Sequence, residues 1–86
     1  MRDQAAGITG VDLDDPHRVV AEMVANVLSV SVAPGDRVAV GEPVVLLESM
    51  KMEIPVLTET AGTVAAVKVS ESDVVQEGDV LVTIEL

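Results

Sequence analysis

Aromatic side chains are missing from this chain: its 86 residues include no Phe, Trp or Tyr. Bases therefore have no rings to stack on. With five basic residues against fifteen acidic ones, a formal charge of −10, the chain also has no basic patch for phosphates. These two shortages exclude nucleic acid as a partner, and the same acidity disfavours an anionic membrane surface. Cysteine is absent too, which rules out a disulfide framework and a thiolate metal site. No apolar run approaches the roughly 20 residues of a membrane span, and the start, MRDQAAGITGVDLDDP, lacks the apolar centre of a signal peptide. The expectation is a cytoplasmic protein with no membrane partner.

What is present is valine, 19 of it. Stiff β-branched side chains favour strands, so the composition describes an all-β core built without large rings. A chain this short buries only about 60% of its unfolded surface, which limits it to one small domain.

Residues 1–17 carry two glycines, the acidic stretch DLDDPH and no sustained periodicity, and read as a flexible N-terminal tail. His17, the only histidine, follows a proline and reads as solvated. Asp12, Asp14 and Asp15 imitate the start of a calcium loop, but no Gly and Glu follow at the required spacing.

From Arg18 the chain is a repeat. A shift of 37 residues aligns its halves without a gap: Val27 falls on Val64, Val30 on Val67, Asp36 on Asp73, Val38 on Val75, Gly41 on Gly78, Val45 on Val82 and Leu47 on Ile84. Each unit reads as four short strands, near 18–23, 26–32, 37–39 and 43–48, then near 53–59, 63–69, 74–76 and 80–85. Pro34-Gly35-Asp36, Gly41-Glu42-Pro43 and Glu77-Gly78-Asp79 mark turns between them. Val64 is out of step with Val67, which implies a bulge. Neither unit can bury a core alone. Paired by a pseudo-twofold, they predict a flattened β-barrel, or barrel–sandwich hybrid, of two four-stranded sheets. The domain then runs over residues 18–86.

The linker between the units reads Glu48-Ser49-Met50-Lys51-Met52-Glu53. Tight hairpins favour Asn-Gly or Gly-Gly, because the central residues need positive φ, yet this one has Met and Lys. The repeat places the turn at one pole and both chain ends at the other. Only Lys51 and Lys68 are lysines, and Lys68 alternates with Val67 and Val69 as an ordinary solvent-facing strand residue. Two methionines flanking Lys51 offer a flexible, grippable contact surface at a cost in solubility. A local choice that conflicts with its structure often marks function, and here it points to a recognised, modifiable lysine. No convergent acid, base or phosphate loop accompanies Lys51, so a catalytic lysine is disfavoured.

The run from Glu48 to Glu53 resembles the attachment motif of biotinyl domains, usually Ala-Met-Lys-Met. Pro34-Gly35-Asp36-x-Val38-x-x-Gly41 before it, and Ala61-Gly62-Thr63-Val64 with Val75-x-x-Gly78-Asp79 after it, fit the same family over residues 18–86. The chain is most similar to short stand-alone biotinylated proteins of actinobacteria. There are departures: Ser49 replaces the common alanine, and Glu22-Met23-Val24-Ala25 replaces the family's Pro-Met-Pro-Gly turn. No insertion between the second and fourth strands of the first unit could form the protruding thumb of some bacterial carriers. Nor does the chain show an Ala-Pro-rich linker or a catalytic domain.

The resemblance implies a biotin carboxyl carrier, not an enzyme, with biotin covalently held on Lys51. A biotin protein ligase would transfer biotin from biotinyl-adenylate to Nζ, with Met50 and Met52 as its recognition flanks and Glu48 and Ser49 beside them. A lysine amine is almost wholly protonated at pH 7, so the ligase must also accept a proton. Biotin carboxylase and carboxyltransferase would then load and unload the carried carboxyl group. A lipoyl carrier is the alternative, although lipoyl tips usually have Asp before the lysine and Ala or Val after it. An unmodified interaction module on the same fold is the third reading.

Overall fold

The computed structural model describes residues 8–9 and 18–85. Among the described residues nine strands make two sheets. β1 is Ile8–Thr9, β2 Arg18–Val20, β3 Ala25–Val30, β4 Arg37–Val38, β5 Pro43–Ser49, β6 Met52–Leu57, β7 Gly62–Val67, β8 Val74–Val75 and β9 Val80–Glu85. One sheet has the order β6-β5-β3-β8, with β1 added outside β6; the other has the order β2-β9-β7-β4. Adding 37 to each residue number carries β5, β3, β6 and β8 onto the positions of β9, β7, β2 and β4, cyclically. The two four-stranded sheets are thus one pattern used twice, all antiparallel. Among the described strands only β1 pairs in parallel, Ile8 opposite Val56.

The pseudo-twofold extends to individual hydrogen bonds. Val64 N–H donates to Asp36 O at 2.7 Å, and its mate Val27 N–H donates to Asp73 O at 2.8 Å. Gly35 N–H reaches Val64 O, and Ser72 N–H reaches Val27 O, both at 2.8 Å. Each of these bonds joins one half of the chain to the other, so neither half completes its backbone bonding alone. The turns repeat as well. The Asp36 carboxylate accepts from Ala33 N–H at 2.9 Å, and Asp73 accepts from Ser70 N–H at 2.8 Å. Glu42 does the same for Ala39, and Asp79 for Gln76. These side-chain bonds satisfy turn N–H groups that no strand can reach.

The core follows the same rule. Val19 and Val56, Val27 and Val64, Val38 and Val75, Val45 and Val82, and Leu47 and Ile84 are buried as 37-residue pairs. Small β-branched residues from both sheets fill the space between them, so no ring is needed. Thr58 replaces its mate Ala21 in the interior, and its hydroxyl is satisfied locally by the N–H and C=O of Thr60.

Strand positions agree with the sequence reading to within a few residues, and the register shifts between Val64 and Ala66, as expected from Val64 and Val67. Its mate shifts between Val27 and Ser29. Lys68 is exposed just beyond β7, where its N–H still donates to Leu81 O at 2.8 Å. β3 and β5 are joined only through β4 and its flanking turns, with the spacing of the second unit. Within the segment 1–17, Ile8 and Thr9 are held against β6. His17, Asp12, Asp14 and Asp15 lie outside the described residues, as does the rest of the proposed tail. Among the described residues no helix is long and apolar enough to cross a membrane.

Candidate functional site

β5 and β6 form a hairpin in register to its end, with Glu48 opposite Glu53 and Ser49 opposite Met52. Two residues, Met50 and Lys51, make the loop. Their φ angles are +52° and +66°, the pattern of a type I′ turn. That turn matches the right-handed twist of two long strands, and this is why the hairpin adopts it despite its residues. The left-handed region costs an L-residue roughly 1–2 kcal/mol, so the tip carries backbone strain at two adjacent positions. Three residues in the described chain, these two and Ser72, have positive φ without being glycine.

The turn places Lys51 at the tip of the longest hairpin, exposed to solvent. Met50 is 89% exposed and Met52 59%, so neither methionine is core. Glu48 and Ser49 lie half-buried behind them at the end of β5. The pseudo-twofold carries this tip onto the place where β9 ends and β2 begins. A covalent link between the units therefore exists on one side only. Lys51 is the sole cation between Pro43 and Leu57, and Glu48 and Glu53 pair across the strands below the turn.

Other residues share this end of the domain, and the sequence reading did not select them. Val24, Ala25, Asn26 and Val74 join Glu48, Ser49, Met50 and Lys51 around an open depression of about 290 Å³. Glu48 lies opposite Asn26 on β3, and Asn26 lies opposite Val74 on β8, so the three form one row across the sheet. The signal was available in the repeat: at the mates of Val24 and Val74 the chain has Ala61 and Arg37. Among the described residues no group of three or more His, Asp or Glu is placed to hold a metal ion.

An amine on a stiff, projecting tip can be acylated and can carry a group between distant sites. The arrangement offers a covalent anchor rather than an enclosed pocket.

Comparison with known proteins agrees in kind. The family model described as "Biotin-requiring enzyme" matches residues 16–84. The biotinylated protein TB7.3 homolog of Mycobacterium leprae is 56% identical over 66 residues, covering 77% of this chain and 93% of that protein. The biotin carboxyl carrier protein of Streptococcus mutans is 44% identical over 64 residues, 74% of this chain but only 49% of the carrier. In the solved structure of a single-chain, multi-domain long-chain acyl-CoA carboxylase, a region superimposes with TM-score 0.71 and 30% identity, covering 91% of this chain and 8% of the carboxylase. A strained Met-Lys hairpin on a pseudo-twofold β fold thus coincides with sequence similarity along the whole domain, and the chain belongs to the biotin/lipoyl-attachment family, as a biotin-attachment domain homologous to biotin carboxyl carrier proteins and to the biotinyl domains of carboxylases.

Proposed function

We propose that Lys51 is the residue that takes biotin and that the chain serves as a non-catalytic, cytoplasmic carrier for a biotin-dependent carboxylase. The observation that carries this reading is the tip itself: the only lysine on the longest hairpin occupies the second central position of a strained two-residue turn. The hairpin fits the group because Lys51 is exposed and the backbone beneath it is held by paired strands.

Loading is an acyl transfer from biotinyl-adenylate, performed by a biotin protein ligase. Nζ, after loss of a proton to the ligase, forms an amide bond with the acyl carbon, the acyl–phosphate bond breaks, and AMP leaves. The pairing of β5 and β6 that holds Met50 and Lys51 in one backbone conformation reduces the freedom the ligase must remove in positioning the amine. Met50 and Met52 present flexible apolar surface on both sides of the lysine for the ligase to grip. Once attached, biotin supplies the carboxyl-carrying chemistry. The domain's own part is to hold the anchor rigidly and present it in turn to a biotin carboxylase and a carboxyltransferase, whose carboxylase kind is supported by the acyl-CoA carboxylase similarity.

The test is intact mass after co-expression with a biotin protein ligase. The parent chain and Lys68→Arg gain one biotin-sized increment, while Lys51→Arg gains none. An increment that survives Lys51→Arg sinks the assignment. A lipoyl-sized increment in cells supplying both cofactors transfers it to lipoate.

A further inference from the structure

The outer strands of the two sheets are not alike. β2, β4 and β8 end their sheets with three, two and two residues, short enough to discourage pairing with another chain. β6, under β1, is the exception: it has six residues, Met52 to Leu57, because the lysine hairpin lengthens it beyond its mate β2. A long open edge is a template for a second strand, and one added here would run beside the turn that carries Lys51. Three features sit on this edge: Pro55, the exposed Glu53 and the two-residue parallel strand β1.

The pairing of β6 with β5 settles which of its backbone groups face outward. Ser49 and Met52 flank a two-residue turn and exchange hydrogen bonds, and the pairs alternate from there. Ile54 therefore turns its peptide groups toward Leu47, while Glu53 and Pro55 turn theirs away from β5. Beyond the bulge, Thr58 N–H donates inward to Glu42 O at 3.0 Å, which leaves Leu57 facing outward. The outward row is then Glu53 with donor and acceptor, Pro55 with an acceptor alone, and Leu57 with both.

An antiparallel partner needs a donor and an acceptor from each outward residue it faces. Two copies of β6 paired about Pro55 would lose both bonds at the axis. Paired about Glu53, they would set two carboxylates opposite each other. A parallel strand asks for less. Its residue opposite Val56 needs one acceptor from Pro55 and one donor from Leu57, and Ile8 holds that position.

We propose that the outer edge of β6 is a slot for one parallel strand, that Ile8 and Thr9 of the same chain fill it, and that Pro55 closes the edge to a second copy. Ile8 N–H then donates to Pro55 O, and Leu57 N–H donates to Ile8 O. The proline that spoils an antiparallel pair takes nothing from β1. The hairpin is held on both sides at its base and stays single at its tip, so Lys51 faces a partner instead of lying against another copy of the chain. This device belongs to the unmodified chain and does not depend on what Lys51 carries.

Amide hydrogen exchange and sedimentation velocity on the full chain test both parts. The parent sediments as a monomer with Leu57 N–H protected. Ile8→Pro removes the donor of β1, so Leu57 exchanges about tenfold faster, the loss of roughly one hydrogen bond. Thr58 N–H, bonded to Glu42, keeps its parental rate and reports that the domain is folded. That variant stays monomeric because Pro55 still interrupts the edge, and Pro55→Thr alone stays monomeric because β1 still covers it. Ile8→Pro combined with Pro55→Thr opens the whole edge, and its sedimentation coefficient rises with concentration while Thr58 remains protected. Equal Leu57 exchange in the parent and Ile8→Pro overturns the slot for β1. A self-associating parent, a self-associating Ile8→Pro or a monomeric double variant overturns the part given to Pro55.

Discussion

Met50 and Lys51, adjacent in sequence, both hold left-handed backbone at the centre of one hairpin turn, φ +52° and +66°. Neither has the side chain that this conformation favours. Glycine at the first position would escape a penalty of roughly 1–2 kcal/mol, offset by about 0.5–1 kcal/mol of extra chain entropy lost on folding. Met50→Gly is therefore expected to stabilise the domain by about 0.5–1 kcal/mol in urea unfolding. It should also slow biotin loading, because the exposed Met50 side chain is gone. A destabilised variant would show that the turn is not strained at this position. Stability given up for a side chain at a working site is a common trade.

A second left-handed position provides a comparison away from the tip. Gly35 and Ser72 are 37-residue mates with φ +96° and +77°, but only the first is glycine. Nothing lies within 4 Å of a Cβ built on Gly35, so conformation rather than crowding decides the cost there. Ser72→Gly should stabilise by about 0.5–1 kcal/mol and Gly35→Ser should destabilise by a similar amount. For a domain of this size that is about 4–8 °C of Tm per kcal/mol, read by calorimetry. Equal shifts of the same sign would remove strain as the explanation.

Gly62 is a different case. A Cβ there would overlap the Glu85 carbonyl oxygen and come within 2.9 Å of Ile84 Cγ2. Its mate Ala25 has no positive φ and buries its methyl group at 5% exposure. The alanine at 25, a departure from the biotinyl pattern, is thus accommodated by a backbone that the second unit does not share. Gly62→Ala should cost about 2–3 kcal/mol through overpacking against backbone. Unfolding within 0.5 kcal/mol of the parent would contradict the close approach of β7 and β9.

These positions show what the sequence could reveal and what it could not. The 37-residue offset was legible because both halves keep β-branched residues at matching core positions, and even the bulge after Val64 left its mark in the spacing to Val67. Lys51 stood out because its turn lacked the expected glycine. That both turn residues take positive φ was less accessible: it depends on the exact register of β5 and β6, fixed by Ser49 opposite Met52. β1 was illegible, since two residues carry no period and Ile8–Thr9 become a strand only through the edge of β6. The row Glu48–Asn26–Val74 joins residues far apart in the chain through cross-strand pairing. A comparison of Val24 and Val74 with their mates Ala61 and Arg37 would nevertheless have hinted at it.

Met52 closes the hairpin opposite Ser49 and is 59% exposed, so its side chain is not needed to fill the core. Leucine has nearly the same volume and apolarity, and such exchanges usually cost less than about 1.5 kcal/mol even when buried. Met52→Leu should therefore leave the unfolding midpoint almost unchanged. Loss of the unbranched, polarisable thioether removes the adaptable part of the contact. If Met52 is gripped by the ligase, initial biotinylation rates at limiting carrier fall while the final mass increment is the same. The companion substitution Met23→Leu, at a half-buried position outside the hairpin, should leave the rate at the parent value. Equal rates for Met52→Leu and the parent would reject Met52 as a recognition flank and leave Lys51 as the anchor.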